Sequence, residues 1–191
     1  MTVMGKKVNP FEVDAFVNGK MTKVSQKDFE GKWAVFFFYP ADFTFVCPTE
    51  LEDLADLHED FKKIGCEIFS VSTDTHFTHK AWWESSPAIK KVKYPMLGDP
   101  AHIISEDFGV LIPGVGLARR GTFIVSPEGE IIAYEIAADG MGRVASETLR
   151  KVQAAQFLRE NPDSVCPAKW KPGDEVLKPA KLLGALEEAD F

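Results

Sequence analysis

The sequence predicts an α/β protein built on a mixed central sheet flanked by helices. Three observations carry that prediction. Residues 33–39 (Trp-Ala-Val-Phe-Phe-Phe-Tyr) form an apolar run without alternation, an amphipathic helical stretch follows it, and a second apolar run over 66–73 opens directly behind Gly65. An unalternating apolar run suits a strand covered on both faces. Strand, helix and strand at this spacing make a βαβ unit, which requires a parallel pair with a right-handed crossover.

The other elements follow in chain order. Residues 11–17 and 21–24 flank Asn18-Gly19, a hairpin signal because a type I′ turn needs positive φ at both central residues. Pro40 ends the first central strand. Over 48–64, Leu51, Leu54, Leu57, Phe61 and Ile64 form one stripe with Glu52, Asp53, Asp56, Glu59 and Asp60 opposite, so one helix is expected across the whole stretch. A further helix is expected over 76–83, an antiparallel hairpin over 122–125 and 131–134, and a last helix over 146–159. Asn161-Pro162 then opens an arm containing Pro, Lys and Gly. The expected organisation is a single domain over 1–160 and a C-terminal arm over 161–191 that finds little to pack against in its own chain. This order of elements is compatible with a thioredoxin-like fold.

At 191 residues and 45% hydrophobic, the chain can bury one substantial core and is too short for two. A net charge of −7 argues against nucleic acid or an anionic membrane as the main partner, since both are polyanions. The longest apolar run falls far short of the roughly 20 residues that cross a bilayer. The N-terminal Met-Thr-Val-Met-Gly-Lys-Lys also lacks the apolar core of a secretory signal. A cytoplasmic protein with no membrane and no nucleic-acid partner is therefore expected.

Cys47, Cys66 and Cys166 are an odd number at wide spacing, unlike a secreted disulfide framework. In a reducing compartment a disulfide is more often catalytic than structural, which directs attention to cysteine chemistry. Residues 40–50 (Pro-Ala-Asp-Phe-Thr-Phe-Val-Cys-Pro-Thr-Glu) join the apolar strand to the amphipathic helix. Cys47 thus falls at a helix N-terminus with Pro48 near the first helical position, where its missing N–H costs nothing. Free backbone N–H groups and the positive end of the helix dipole favour an anion there, which suits a thiolate nucleophile. Thr44 is spaced to aim its hydroxyl at the sulfur or a bound oxygen, and Pro40 to shield the pocket from water. Without such context, a cysteine at a strand–helix junction is usually a small buried hydrophobe.

The string Pro-x-x-x-Thr-x-x-Cys resembles the active-site signature of peroxiredoxins, and residues 38–50 resemble its bacterial alkyl hydroperoxide reductase C form. Residues 71–82 (Val-Ser-Thr-Asp-Thr-His-Phe-Thr-His-Lys-Ala-Trp) are similar to the family's second landmark. Arg-Gly-Thr-Phe-Ile-Val over 120–125 is similar to its arginine-bearing strand, and Val-Cys-Pro-Ala-Lys-Trp over 165–170 to the segment around its resolving cysteine. Four landmarks in order are a specific match, and they span the chain from near residue 10 to near residue 175.

The resemblance implies a thioredoxin-like fold in its peroxiredoxin variant and the following roles. Cys47 is the peroxidatic cysteine, attacking the terminal peroxide oxygen to become a sulfenic acid. Thr44 hydrogen-bonds the peroxide, Arg120 stabilises the thiolate and polarises the O–O bond, Glu50 and Arg143 position that arginine, and Pro40 closes the pocket. Cys166 resolves the sulfenic acid as a disulfide across a homodimer, and dimers assemble into a ring, commonly of five. It further implies no metal, haem or flavin cofactor in the chain, with electrons from an external disulfide reductase. That reductase is an NADH-dependent flavoprotein, a thioredoxin or another small thiol protein. Arg119 and Arg120 are adjacent, and Arg120 is preferred because it directly precedes the Gly-Thr-Phe landmark.

Overoxidation-sensitive members carry a Gly-Gly-Leu-Gly loop and a C-terminal Tyr-Phe. This chain has no glycine between Gly65 and Gly98 and no tyrosine after Tyr134, which implies resistance. Two other classes stay open: a thioredoxin-like disulfide carrier, whose usual Cys-x-x-Cys pair is missing here, and a holdase chaperone or structural ring. His76-x-x-His79 has metal-compatible spacing but no third ligand nearby. His58 and Cys66 read as core residues, Trp33, Trp82 and Trp83 as core or interface. Gly114-Val115-Gly116 lacks the strand–turn–helix setting of a nucleotide loop.

Overall fold

The computed structural model of the chain describes residues 2–179. Asn18 and Gly19 have φ of 44° and 89°, the pair of positive values that a type I′ turn demands. They join β1 (Glu12–Val17) to β2 (Lys20–Ser25) in a register that runs from Val17↔Lys20 to Glu12↔Ser25. β3 (Trp33–Phe38) pairs parallel with β4 (Cys66–Ser72) and antiparallel with β6 (Arg120–Val125). It is therefore a central strand, buried from Ala34 onward. That is why its sequence shows no alternation.

The sheet has seven strands in the order β2-β1-β5-β4-β3-β6-β7, with β5 at Met96–Gly98 and β7 at Ile131–Ala137. Pairs β3–β4 and β4–β5 are parallel and the outer pairs antiparallel, so the expected mixed sheet is present. β5, at three residues, is too short to carry a readable period, and the five-residue α4 (Ile103–Asp107) shares that defect.

The helix expected over 48–64 is two helices, α1 (Cys47–Asp56) and α2 (His58–Lys63). They part at Leu57, whose φ of −99° and ψ of 3° lie outside the helix. The break shifts the inward face by one residue: Leu57 is half-buried, while His58 is buried with its ring edge-on to Tyr94, centroids 5.5 Å apart. Gly65, at φ +68°, reverses the chain from α2 into β4. α3 (His76–Ser85) is capped by Thr75, whose hydroxyl accepts from Thr78 N at 3.3 Å.

One side of β3 packs into an aromatic core. The Phe36 ring lies 5.1 Å from Phe69 and 5.0 Å from Phe108, and Phe108 lies 4.9 Å from Phe123. Stacked and edge-on pairs like these add to burial and fix ring positions, so the strand leading to Cys47 starts from a rigid base. Close packing extends to Gly98 in β5. A Cβ there would sit 2.8 Å from His76 N and 2.9 Å from Asp74 O, both backbone atoms at the entry to α3. Gly98→Ala is therefore expected to destabilise the fold by about 1–3 kcal/mol, read as a lower midpoint in urea unfolding. An unchanged midpoint would contradict that packing.

The chain separates into two compact units, Met1–Ser146 and Glu147–Phe191, and α5 (Ala145–Glu160) begins in the first and runs into the second. In the second unit, residues 161–179 differ from the loosely packed arm suggested by composition. Trp170 is 3% exposed, with its ring 4.8 Å from that of Phe157 in α5. Val165 and Leu177 exchange two backbone hydrogen bonds of 3.0 Å. A single aromatic among Pro, Gly and Lys carries no period, so sequence reading missed this packing. The C-terminal residues Glu187–Phe191 that bear on overoxidation lie outside the described residues. Among the described residues, no helix is long and apolar enough to cross a membrane.

Candidate active site

β3 delivers the chain to the loop 40–46, and α1 begins at Cys47 itself. The Val46 carbonyl accepts from Thr49 N at 3.0 Å and Glu50 N at 3.3 Å, so Cys47 holds the first helical position and Pro48 the second. Cys47 is fully buried. Glu50, three residues on, lies on the same helix face as Cys47.

Arg120 opens β6 and meets both. Its Nη1 is 3.2 Å from Cys47 Sγ and donates to Glu50 Oε2 at 2.7 Å, while its Nε donates to the Asp139 carbonyl at 2.7 Å. Neighbouring Arg119 is exposed. β pairing decides between the two: alternate residues of a strand face opposite ways, and β6 turns Arg120 toward α1.

Arg143 holds the other carboxylate oxygen. Glu50 Oε1 accepts from its backbone N at 2.8 Å and its Nε at 2.9 Å. The rest of that guanidinium donates to the Phe38 carbonyl at 2.8 Å and Thr122 Oγ1 at 3.1 Å, and its Cζ lies 3.5 Å above the Phe37 ring. Glu50, Arg120 and Arg143 are each at most 8% exposed. In this buried cluster two arginines share one glutamate, with the Cys47 sulfur acting on Arg120 and the Glu135 carboxylate on Arg143. Burial works against the Arg120 charge, but the Cys47 sulfur and Glu50 outweigh it and raise that guanidinium above its ordinary value. For Arg143 burial prevails over Glu50, and the shift is downward.

Thr44 and Pro40 are half-buried in the loop before Cys47. The Thr44 hydroxyl donates to the Ala41 carbonyl at 2.8 Å rather than to the sulfur, which leaves its oxygen free to accept. The loop is tied down by a network that sequence reading missed. Tyr39 Oη donates to Asp42 Oδ1 at 2.7 Å, Asp42 Oδ2 is 2.7 Å from His79 Nδ1, and Asp42 N donates to Asp74 Oδ2 at 2.9 Å. Burial raises the Asp42 carboxyl above its usual range against the opposing pull of His79. The two histidines weighed as a metal pair therefore part company: His79 is buried on Asp42, while the His76 ring lies 4.0 Å from Phe77. A His bonded to an Asp 37 residues earlier leaves no local signal. Phe43 takes a left-handed φ of 56°, rare for a non-glycine residue, and Phe45 is 94% exposed.

Cys66 is buried at the start of β4, and burial pushes its thiol far above the ordinary range. A buried thiol held in that range is a poor nucleophile at neutral pH. Cys166 belongs to the second unit and is half-buried.

Residues 4–134 match the model of the AhpC/TSA family, and residues 154–182 match that of the C-terminal domain of 1-Cys peroxiredoxin. The alkyl hydroperoxide reductase C of Amphibacillus xylanus is 55% identical over 94% of this chain and 96% of its own length. That of Salmonella typhimurium is 53% identical over 97% of this chain and all of its own. Among solved structures, Enterococcus faecalis AhpC superposes with a TM-score of 0.85 at 50% identity, covering 87% of this chain and all of that one. A family model over residues 4–134, relatives above 50% identity along nearly the whole chain and a superposing solved structure agree: the chain belongs to the AhpC/TSA family of peroxiredoxins.

Proposed function

We propose that the chain is a thiol peroxidase of antioxidant defence that reduces hydrogen peroxide to water and organic hydroperoxides to alcohols. The observation that carries this reading is the Arg120 guanidinium, which bonds the Cys47 sulfur at 3.2 Å while a buried Glu50 fixes it from behind at 2.7 Å. The Cys47 thiolate attacks the terminal peroxide oxygen, the S–O bond forms and the O–O bond breaks. The departing hydroxide or alkoxide takes a proton and leaves as water or alcohol. Arg120, already beside the sulfur, meets the negative charge as it moves onto the leaving oxygen. Such a donor costs no reorganisation at the moment of reaction. Thr44 accepts from the incoming hydroperoxide, Pro40 excludes water, and Arg143 holds Glu50.

The reaction proceeds without metal, haem or flavin in this chain. Cys166 of a second subunit then attacks the Cys47 sulfenic acid, giving an intersubunit Cys47–Cys166 disulfide. A separate reductase, an NADH-dependent flavoprotein or a thioredoxin-like protein, reopens it in the cytoplasm. The protein acts as a homodimer within a ring of five dimers, a reading supported by Phe43 and Phe45, which are 57% and 94% exposed. One equivalent of peroxide is expected to convert reduced protein to a covalent dimer on non-reducing gels. Cys66→Ser should leave that dimer intact and Cys166→Ser should remove it. Oxidised protein running only as an internally bonded monomer would overturn the intersubunit pairing.

A further inference from the structure

We infer that Arg150 is a positioning residue for the resolving cysteine, clamping the turn that follows Cys166. The inference rests on the proposed resolving role of Cys166. All the residues concerned belong to the second compact unit.

Arg150 sits in α5, three residues after Glu147. Its Nε donates to Glu147 Oε2 at 2.7 Å and its Nη2 to Oε1 at 2.7 Å. That two-pronged bond fixes the plane of the guanidinium. An ordinary surface pair at this spacing ends there and contributes little to stability. Here the remaining nitrogen, Nη1, reaches 20 residues along the chain and donates to the Trp170 carbonyl at 3.2 Å.

Trp170 closes the turn that begins immediately after Cys166. Its N donates to the Pro167 carbonyl at 3.1 Å, and Lys169 within the turn takes a left-handed φ of 67°. The Trp170 indole is in turn held by the Asp174 carbonyl at 3.2 Å and the Phe157 ring. On the other side of Cys166, Val165 is bridged to Leu177. Both neighbours of the cysteine are therefore fixed, one by a strand-like bridge and the other by a turn pinned to Arg150. Burial raises the Cys166 thiol above its ordinary value, and the Arg150 charge acts against that rise.

In the resolving step the deprotonated Cys166 sulfur attacks the Cys47 sulfenic sulfur. An S–S bond forms, the S–O bond breaks, and hydroxide departs with the bonding pair and takes a proton to become water. The Cys166 sulfur is oxidised and the Cys47 sulfur reduced by the same amount, so no further oxidant is needed. The rate follows the thiolate fraction of the attacking cysteine and competes with a second peroxide that carries Cys47 to the sulfinic acid.

Stopped-flow tryptophan fluorescence across a pH series separates peroxide-dependent oxidation from peroxide-independent resolution. Arg150→Gln is expected to leave the first phase unchanged and to slow resolution about threefold or more at neutral pH. The pH midpoint of resolution should move upward, and sulfinic acid per turnover should rise in proportion. Arg150→Lys, which keeps the charge, should hold its midpoint near that of the wild type. An unchanged resolution phase in Arg150→Gln overturns the inference, and so does a slower phase with an unmoved midpoint. Cys166→Ser tests the reading beneath it separately: a second phase that survives that substitution removes the resolving role itself.

Discussion

Cys47→Ser is expected to reduce peroxide consumption to the uncatalysed background while the protein still unfolds cooperatively. The substitution keeps the size of the side chain at a position already fully buried, so packing changes little. What changes is the nucleophile. A serine hydroxyl ionises far less readily than a thiol, and it attacks only when a general base takes its proton. The groups gathered here, Arg120, Glu50 and Arg143, do not supply one. Both arginines are donors, and both oxygens of Glu50 are committed to those guanidinium groups. The site can stabilise an anion that forms on its own but cannot create one from a hydroxyl. Peroxide loss measured with excess reductant checks this, and a rate within about tenfold of wild type would show that another group does the chemistry.

Arg120→Ala should lower the second-order rate of peroxide reduction by about 10²–10³, the usual effect of removing one preorganised donor from a developing charge. The fold should survive, because Glu50 keeps Arg143, which contacts both carboxylate oxygens. Arg120→Lys should recover only part of the loss. Arg120 bonds Cys47 Sγ, Glu50 Oε2 and the Asp139 carbonyl from two different nitrogens of one plane, and a single ammonium cannot reproduce that fork. Pre-steady-state oxidation with unfolding midpoints measured alongside separates chemistry from stability. A loss of less than about tenfold in Arg120→Ala would place the polarising group elsewhere.

Both predictions depend on features of different legibility. Cys47 at the start of α1 is local: an apolar strand, a loop and an amphipathic helix announce themselves by period, and Pro48 marks the first turn. The same holds for Asn18-Gly19, whose turn type is set by two residues, and for Gly65 behind α2. The apolar run 33–39 reads as a central strand because neighbours on both sides remove any need for a polar face. The break at Leu57 is the opposite case. The stripe of leucines fits one continuous helix, and only packing of His58 against Tyr94 shows where the inward face shifts.

The sequence by itself therefore determined the α/β class, the hairpins, the strand–helix junction holding Cys47 and, through four ordered landmarks, the family. Tertiary structure alone decided how the charges meet. Glu50 lies 70 residues from Arg120 and 93 from Arg143 along the chain, and no local spacing can express contacts made by β6 crossing beside β3. The same holds for Asp42 with His79 and for the Arg150 clamp on Trp170. Period and propensity are properties of neighbouring residues. A buried ion cluster is a property of strand order and register, which decide the surroundings of each charge and hence whether burying it is tolerable.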